Sequence, residues 1–369
     1  MFRALIVVAL VLTACGDHVA SSGLGASSTP TPESSSKPTP DPTPSPSSTP
    51  AIVAFPDRLS FVVGTNDGLV YPQLLNGKPA GTPVRVCDGL VGSLASWGRK
   101  VLVVCRDATS KLAVFDPDAG TVFVIPGVEA LEATWTSLGD SVVYTAIGVC
   151  EPPAPICKTK LMQRDLRTGT TTQLDERYGV GRDLRSTNEG VTVWRGMNMD
   201  SFVRPADEVG TWALRGATLS RISQHRLIDG GKGRDLFETE ETSFNAGCCT
   251  VVMTGYQQQA QRLTLSSVSN ERAIAMLEDG RIVAFRPDSR TNMFEGSVVI
   301  YRAGVVERMD RGRFSPYLVV RDLDWIVAVE YAPGGTLRAY RISDGAFASA
   351  SGGNITALAP LGPAKPPIP

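Results

Sequence analysis

The stretch Leu112-Ala-Val-Phe-Asp-Pro-Asp-Ala-Gly120 decides the fold, because its pattern returns twice more in the chain. A short apolar run leads into a polar turn, and a glycine stands eight residues after the leading leucine. The other copies are Leu161-Met-Gln-Arg-Asp-Leu-Arg-Thr-Gly169 and Leu337-Arg-Ala-Tyr-Arg-Ile-Ser-Asp-Gly345. Glycine accepts the positive φ that tight turns between strands require. The repeat therefore predicts a strand, a tight turn and a returning strand.

A second class of apolar strand recurs seven times along the chain. Its members are Leu59–Gly64, Val101–Cys105, Ser141–Ala146, Val191–Arg195, Thr250–Thr254, Arg281–Phe285 and Trp325–Glu330. The six intervals between the first and the last average about 44 residues, a spacing typical of four-stranded propeller blades. The intervals on either side of Thr250 are uneven, so the count of seven is weakest there.

A third element precedes two of these strands, as Ala95-Ser-Trp97 and Ala133-Thr-Trp135. Each unit then has four strands, and we name them A to D in order. The first unit lacks strand A, which Asn354–Leu361 would supply to close the ring. Closure removes exposed sheet edges, and no sustained helical periodicity competes. We predict an all-β chain with a single β-propeller of about seven four-stranded blades; six blades, eight blades or two β-sandwiches stay open.

The turn sequences resemble those of two propeller groups. TolB-like and WD-repeat-like propellers of exported bacterial proteins carry a serine-proline-aspartate-glycine turn before strand B. Ser137-Leu-Gly-Asp140 approximates that turn, and Thr65-Asn-Asp-Gly68 does so at a different position. Asp165-Leu-Arg-Thr-Gly169 is similar to turns of quinoprotein-type propellers, including a lipoprotein of the outer-membrane assembly machinery, although their following tryptophan is Gln173 here. The resemblance implies a propeller architecture and does not assign the chain to either group.

The first fifteen residues predict export and a lipid anchor. An apolar run from Ala4 to Leu12 follows Arg3. The run is too short for a bilayer core, which needs about 20 helical residues, and is typical of a secretory signal. Leu12-Thr-Ala-Cys15 resembles the lipobox of bacterial lipoproteins, in which an aliphatic and two small residues precede cysteine. The resemblance implies cleavage before Cys15 and an acyl lipid on its sulfur, with an ordinary signal peptide as the alternative.

A spacer follows the anchor. Of the 33 residues from 18 to 50, 23 are serine, threonine or proline, a composition that cannot bury a core and favours extended chain. We therefore predict a lipoprotein signal peptide at residues 1–14 and a lipidated cysteine with a disordered linker at 15–50. The propeller domain is expected at 51–362 and a flexible tail at 363–369.

Six cysteines remain beyond the lipidated one, an even number that fits disulfides in an exported domain. They are Cys87, Cys105, Cys150, Cys157, Cys248 and Cys249. The first two are expected to join neighbouring strands, and the middle two to staple the loop between them. The last two are adjacent, and successive side chains on a strand point to opposite faces. A vicinal disulfide, two buried thiols, or pairing with one of the first two all stay open for them.

The connections of a meandering blade fall into two classes, which define two faces of the ring. The A–B and C–D turns form the short-turn face, and the B–C and D–A connections form the long-loop face. The long segments all fall on the second face: Ile147–Lys160, Gly196–Gly210, Gln224–Gly247 and Arg286–Ser297. Since functional residues concentrate on loops over a rigid scaffold, we predict that the long-loop face binds the partner. The binding-face candidates are Met197, Met199, Phe202, Arg204, Asp207, Glu208, Asp235, Glu238, Arg290, Asn292 and Phe294.

Signals for chemistry are weak. The chain has no Gly-x-Ser-x-Gly elbow and no Cys/His metal spacing. His225 is the one histidine beyond the linker, and a surface or packing role is expected for it. Asp235 and Glu238 begin an acidic run that would be a solvated loop, a calcium site or a glycosidase pair. We expect no catalytic residue, no metal and no cofactor.

These features favour a membrane-anchored extracytoplasmic binding protein. The 36 basic and 37 acidic residues argue against nucleic acid as a partner, which leaves a protein or an envelope polymer, together with the lipid bilayer held through Cys15. The alternatives are a propeller enzyme acting on carbohydrate through loop carboxylates, and a scaffold subunit of an envelope assembly or sensor complex.

Overall fold

A computed structural model describes residues 59–74, 78–151, 156–178, 182–187, 190–195, 209–231, 234–238, 250–254, 261–266, 271–289, 295–314, 319–322, 324–330, 336–351 and 353–362. These residues form 28 strands with their turns, and none of them is helical. Within this part of the chain no helix is long and apolar enough to cross a membrane. The expected signal peptide, lipidated cysteine, linker and C-terminal tail lie outside these ranges.

The strands form seven four-stranded antiparallel sheets, each a meander that we call a blade. Blade 1 contains β28 (Ile355–Pro360), β1 (Leu59–Thr65), β2 (Leu69–Leu74) and β3 (Val84–Arg85). Blade 2 contains β4 (Leu90–Trp97), β5 (Lys100–Arg106), β6 (Lys111–Asp116) and β7 (Thr121–Glu129). Blade 3 contains β8 (Glu132–Trp135), β9 (Ser141–Glu151), β10 (Ile156–Asp165) and β11 (Thr171–Tyr178).

The remaining blades follow the same order. Blade 4 contains β12 (Arg182–Thr187), β13 (Gly190–Arg195), β14 (Gly210–Arg215) and β15 (Thr218–Ser223). Blade 5 contains β16 (Arg226–Gly231), β17 (Arg234–Glu238), β18 (Thr250–Thr254) and β19 (Gln261–Ser266). Blade 6 contains β20 (Arg272–Met276), β21 (Ile282–Pro287), β22 (Glu295–Arg302) and β23 (Val305–Arg313). Blade 7 contains β24 (Val319–Asp322), β25 (Trp325–Glu330), β26 (Thr336–Arg341) and β27 (Phe347–Ser351).

The core lies between the blades, in seven apolar clusters that each join two neighbouring sheets around the ring. Val62 and Val103, for example, pack between blades 1 and 2, and Phe61 packs with Trp325 where blade 7 meets blade 1. Strands buried on both faces require apolar side chains on both faces, and β25 is buried at every position. The seven-bladed propeller predicted from the repeats is therefore confirmed.

The ring closes through the end of the chain, as the missing first strand predicted. β28 pairs antiparallel with β1, and the register joins Phe61 to Pro360 and Gly64 to Ala357. The first strands of blades 7 and 1, 1 and 2, 2 and 3, 3 and 4, and 5 and 6 contact one another, so the first strands form the inner wall of the ring. The glycine-containing repeats also lie where they were predicted, as turns between the third and fourth strands, and Gly120, Gly169 and Gly345 all have positive φ.

Blade 5 corrects the strand assignment in the region where the spacing was uneven. Thr250–Thr254 is the third strand of its blade, and the second strand is β17. The sequence Arg234-Asp-Leu-Phe-Glu238 looks like a charged loop because its first, second and last residues are polar. Its two apolar residues, Leu236 and Phe237, are nonetheless fully buried. With this change the second strands recur at regular intervals around the ring.

Two of the expected long loops are shorter than predicted. β9 and β10 extend to residues 151 and 156, so only 152–155 connect them, and the expected loop 147–160 is mostly a long hairpin. Residues 224–247 contain β16 and β17. The connections 196–209, 239–249 and 288–294 do join second to third strands and therefore belong to the long-loop face.

One predicted disulfide is present. Cys87 and Cys105 are joined with a Cα–Cα distance of 5.4 Å, and both are buried. Cys87 lies in the connection from blade 1 to blade 2, and Cys105 lies on β5, so the bond fastens neighbouring blades. Cys150 and Cys157 are directly opposite each other in the register of β9 and β10. Cys248 and Cys249 lie outside the described residues.

Candidate functional site

Charged side chains gather where the inner strands of blades 3, 4 and 5 come together. Each inner strand begins at the long-loop face, because it follows a D–A connection. Near the beginnings of β8, β12 and β16 stand the residues that we call the inner polar cluster: Glu132, Asp183, Arg185, Arg226 and Asp229. Blades of a propeller surround a central channel, and charged groups gathered at its inner wall are candidates for ligand contact.

The backbone around Asp183 is irregular, and this irregularity places the side chain of Asp183 in the cluster. The pairing of β12 with β13 shifts register between Arg182 and Arg185, and Asp183 has a φ of 54°. A bulge of this kind redirects a side chain, and left-handed φ in a residue other than glycine is a strained conformation that often marks a functional position. Asp183 Oδ2 accepts a 2.7 Å hydrogen bond from Arg226 Nε on the next blade. The bulge thus places a carboxylate for an ion pair between blades.

Glu132 is the carboxyl group of the cluster most affected by its surroundings. Burial raises the pKa of the Glu132 carboxyl. The backbone N–H of Leu184 donates to Oε2 at 3.3 Å and opposes part of that rise, while the nearby charge of Asp183 adds to it. A carboxyl group that holds its proton more strongly than usual at an inner wall can donate as well as accept a hydrogen bond.

Arg185 and Asp229 connect the cluster to blades 5 and 6. Arg185 Nη1 donates to the backbone carbonyl of Ile228. Burial lowers the pKa of the Arg185 guanidinium, and the carboxylates of Asp183 and Asp229 oppose that change. Asp229 Oδ2 accepts a 2.8 Å hydrogen bond from the backbone N–H of Met276 on β20. The cluster therefore spans the inner strands of blades 3, 4 and 5 and is hydrogen-bonded to the inner strand of blade 6.

A second set of charged groups stiffens the long-loop face from within the blades. Glu271, whose carboxyl is buried, accepts from Arg286 Nε at 2.5 Å and from the Tyr301 hydroxyl at 2.5 Å. Burial and the hydrogen bond to Glu271 raise the pKa of the Tyr301 hydroxyl. These groups satisfy one another, as buried charges must. They hold the ends of strands in place and leave little capacity for an external ligand.

Blade 7 has a comparable arrangement at the last residue of β25. Glu330 is 4% exposed, and its two carboxyl oxygens accept from different arginines. Arg313 Nε donates to Oε1 at 2.7 Å, and Arg338 Nη2 donates to Oε2 at 3.1 Å. Arg313 ends β23 in blade 6, so the carboxylate joins two blades. In blade 4, Arg195 at the end of β13 pairs with Asp175 of blade 3 in the same manner.

Of the predicted binding-face residues, the structure describes two. Asp235 is 3% exposed on β17, so its placement in an accessible loop is wrong; the second strand of blade 5 occupies that segment. Glu238 is the last residue of β17 and ends at the long-loop face. The other nine lie outside the described residues: Met197, Met199, Phe202, Arg204, Asp207, Glu208, Arg290, Asn292 and Phe294.

His225 is half-buried in the connection before β16, and its carbonyl accepts a 2.6 Å hydrogen bond from Thr211 Oγ1.

The inner polar cluster was not found from the sequence. Its residues are distributed over about 100 positions, between Glu132 and Asp229, and none belongs to a recognisable motif. The available signal was positional, since a charged residue stands at or next to the start of each of the three inner strands β8, β12 and β16. To use that signal, the first strands of blades 4 and 5 have to be assigned correctly, and the uneven spacing of the repeats prevented this.

Comparisons with known proteins agree with the fold. No protein-family model and no curated protein sequence matches the chain. The solved structure of the periplasmic gluconolactonase PpgL from Pseudomonas aeruginosa is similar, with a TM-score of 0.51, 11% identity, and coverage of 81% of this chain and 98% of that one. The chain is a β-propeller. The similarity shows the fold alone, because so low an identity carries no activity from one protein to another.

Two other solved structures extend the comparison. Acylaminoacyl peptidase from Pyrococcus horikoshii has a TM-score of 0.52 and 12% identity over 76% of this chain, which spans 47% of the length of the peptidase. TolB from Acinetobacter baumannii has a TM-score of 0.43 and 15% identity, with coverage of 84% of this chain and 68% of TolB.

Proposed function

We propose that the chain is an exported, lipid-anchored β-propeller that binds a protein or an envelope component through its long-loop face and catalyses no reaction. The observation that carries the proposal is the opposition of the two faces. Connections 196–209 and 239–249 open on the long-loop face. The chain enters at Leu59 and leaves after Pro360 on the short-turn face, since β1 runs away from that face and β28 runs toward it. The long-loop face is therefore clear of both ends of the folded ring.

The compartment is inferred from two features. The Cys87–Cys105 disulfide is a type of bond that persists outside the cytoplasm, and the N-terminal residues resemble a lipoprotein signal. Replacing Cys15 by alanine should move the protein from the membrane fraction to the soluble exported fraction. Retention of the Cys15→Ala variant in membranes, in the absence of a bound partner, would contradict the lipid anchor.

A scaffold role in an envelope complex would use the same long-loop face and would differ from the proposed function only in the number of partners bound.

The carbohydrate-enzyme alternative loses support, because Asp235, one of its two proposed carboxylates, is buried within β17. A glycosidase needs two carboxyl groups that both reach the substrate, about 5 to 9.5 Å apart across the scissile bond, and a carboxyl group enclosed within a blade does not. Binding without chemistry is consistent with the described part of the site.

The test is crosslinking in intact cells followed by capture of the tagged protein. One variant replaces residues 197–207 by a short glycine-serine linker, and a second replaces 240–248. Both keep β13, β14, β17 and β18 intact. A deletion of 224–247 would remove two strands and test folding instead. The control replaces Arg99 and Asp118, an exposed ion pair of the short-turn face, by alanine.

The expected outcome is loss of the crosslinked partner in one or both loop variants and its retention in the control. Circular dichroism and cooperative thermal unfolding must show that each loop variant is folded. Unchanged partners in both folded loop variants would show that the long-loop face is not the binding surface.

A further inference from the structure

Arg185 has donor capacity that its protein surroundings do not use. A guanidinium carries five N–H donors, and the hydrogen bond that this side chain makes in the described part of the molecule is the one from Nη1 to the Ile228 carbonyl. Among the described residues no carboxylate pairs with Arg185 within 4 Å. The side chain lies on the inner strand of blade 4 and is partly buried, and no nitrogen of Arg185 is among the described atoms that are fully buried without a hydrogen bond.

The neighbouring carboxylates are engaged elsewhere. Asp183 pairs with Arg226 at 2.6 Å. Asp229 accepts from the backbone N–H groups of Gly230 at 3.0 Å and Met276 at 2.8 Å. Glu132 accepts from a backbone N–H of the same bulge. The carboxylates of Asp183 and Asp229 attract the guanidinium, but their hydrogen bonds go to other groups. The described part of the chain therefore leaves Arg185 with donors for a further acceptor.

The charges around Arg185 select the kind of acceptor. The planar guanidinium fork matches a carboxylate, which accepts two parallel hydrogen bonds. The acidic neighbours of Arg185 repel any anion, and they repel a phosphate dianion more strongly than a monoanion because of its second negative charge. Arg226, the other cation of the cluster, is already neutralised by Asp183. A single available arginine among acidic neighbours therefore fits a monoanion better than a dianion.

We propose that Arg185 binds the carboxylate of a small monoanionic ligand in the central channel. The inference goes beyond the long-loop binding surface, because it concerns inner strands and requires none of the long connections. The bulge at Asp183 has a role in this arrangement. By turning the Asp183 side chain to Arg226, it keeps that carboxylate from closing an ion pair with Arg185.

The test uses full-length protein in detergent and three probes: glucuronate as a monoanionic carboxylate, glucose as its uncharged counterpart, and inorganic phosphate. Isothermal titration calorimetry should show glucuronate binding with a Kd near or below about 1 mM, phosphate binding at least about tenfold more weakly, and glucose giving no saturable heat. Arg185→Gln should weaken glucuronate binding roughly tenfold to a hundredfold, because charge-assisted hydrogen bonds are lost. Arg185→Lys should recover part of the affinity through charge alone.

Arg311→Gln is the matched control, since Arg311 is 77% exposed on the outer strand of blade 6 and paired with Asp288; it should bind glucuronate as the wild type does. Thermal unfolding confirms that each variant is folded, and Arg185→Lys provides the comparison if Arg185→Gln does not fold. Equal binding by the Arg185 variants and the wild type would overturn the proposal, as would tighter binding of phosphate or no binding of glucuronate at about 10 mM. The crosslinked partners should be the same with and without Arg185, which separates this site from the long-loop surface.

Discussion

Gly64 and Ala357 face each other in adjacent strands although they stand at opposite ends of the folded chain. Thr356 strengthens the junction, because its Oγ1 lies 3.3 Å from the Gly64 carbonyl oxygen and 2.7 Å from that of Val91 in blade 2. A side chain at position 64 would have no room, since a Cβ there would lie 2.4 Å from Val91 Cγ1. The first blade is thus assembled from both ends of the chain, and the second blade packs closely against it.

Removal of the closing strand should therefore unfold the ring. A chain ending at residue 353 lacks β28, which leaves the edge of β1 unpaired and exposes Phe61 and Val62. We expect a loss of cooperative thermal unfolding, and partial recovery when a peptide of residues 353–362 is added. The milder variant Leu358→Ala should lower the free energy of unfolding by about 2–4 kcal/mol, because Leu358 is 8% exposed in the cluster with Trp325. Urea denaturation measures this, and unchanged stability in both variants would contradict closure by β28.

Two glycines of the repeated turn should respond differently to the same substitution. Gly120 has a φ of 64°, and no atom lies within 4 Å of the place that a Cβ would take, whereas Gly345 has a φ of 78° and a Cβ there would lie 2.5 Å from Asp310 Oδ2. Gly120→Ala should lower the free energy of unfolding by about 1–2 kcal/mol, because alanine is strained in the left-handed conformation. Gly345→Ala should cost more, because Asp310 would have to move away from the hydroxyl of Tyr340, to which it is hydrogen-bonded at 2.5 Å. If urea denaturation shows that both variants lose the same free energy of unfolding, Asp310 moves aside at no energetic cost and the expected difference is wrong.

These turns also show how far the sequence could predict the molecule. Gly120, Gly169 and Gly345 require positive φ at a fixed distance from an apolar strand, a local constraint that a single sequence displays. Ring closure by Ile355–Pro360 was predictable because one strand was missing from the first unit. The role of Arg234–Glu238 was not, because burial by neighbouring blades outweighs the polar composition of the segment. The contacts of Arg185 depend on which blades become neighbours, and the residues near it in space are not near it in sequence.

Glu132 should make stability depend on pH in a direction opposite to that of an ordinary ion-paired carboxylate. Burial raises its pKa in the folded state above the ordinary value of 4.5, so the folded state holds the proton more strongly. The resulting stabilisation is fully present below pH 4.5 and is lost as pH rises through the folded-state pKa. Glu132→Gln keeps an acceptor for the Leu184 N–H and cannot ionise. The variant should gain stability relative to the wild type as pH rises from 4 to 8 (roughly the range over which carboxyl groups with raised pKa titrate).

Urea denaturation at several pH values gives the difference between wild type and Glu132→Gln. The matched control is Glu307→Gln, an exposed position on β23. A difference that stays constant with pH for Glu132→Gln would show that the carboxyl group is not held in its protonated form by burial.

The disulfide between blades 1 and 2 should contribute measurably to stability. Cys87 and Cys105 are separated by 18 positions, and closing a loop of this length in the unfolded chain stabilises the folded state by about 3 kcal/mol. Replacing both by serine should lower the midpoint of urea denaturation accordingly. Reduction of the wild type should have the same effect, and reduction of the double variant should have no further effect through this bond. A double variant as stable as the oxidised wild type would contradict the expected contribution.

A second disulfide is expected between Cys150 and Cys157. The two residues are register partners in an antiparallel pair, and Cα atoms of such partners are about 4.5–5.5 Å apart, which is within the range that a disulfide bridges. The bond would fasten the end of the β9–β10 hairpin, which reaches toward the long-loop face. Proteolysis without reduction, followed by mass spectrometry, should yield one linked peptide pair containing Cys87 and Cys105 and another containing Cys150 and Cys157. A free thiol at Cys150, or its linkage to Cys248 or Cys249, would contradict the pairing and place the adjacent cysteines in contact with this hairpin.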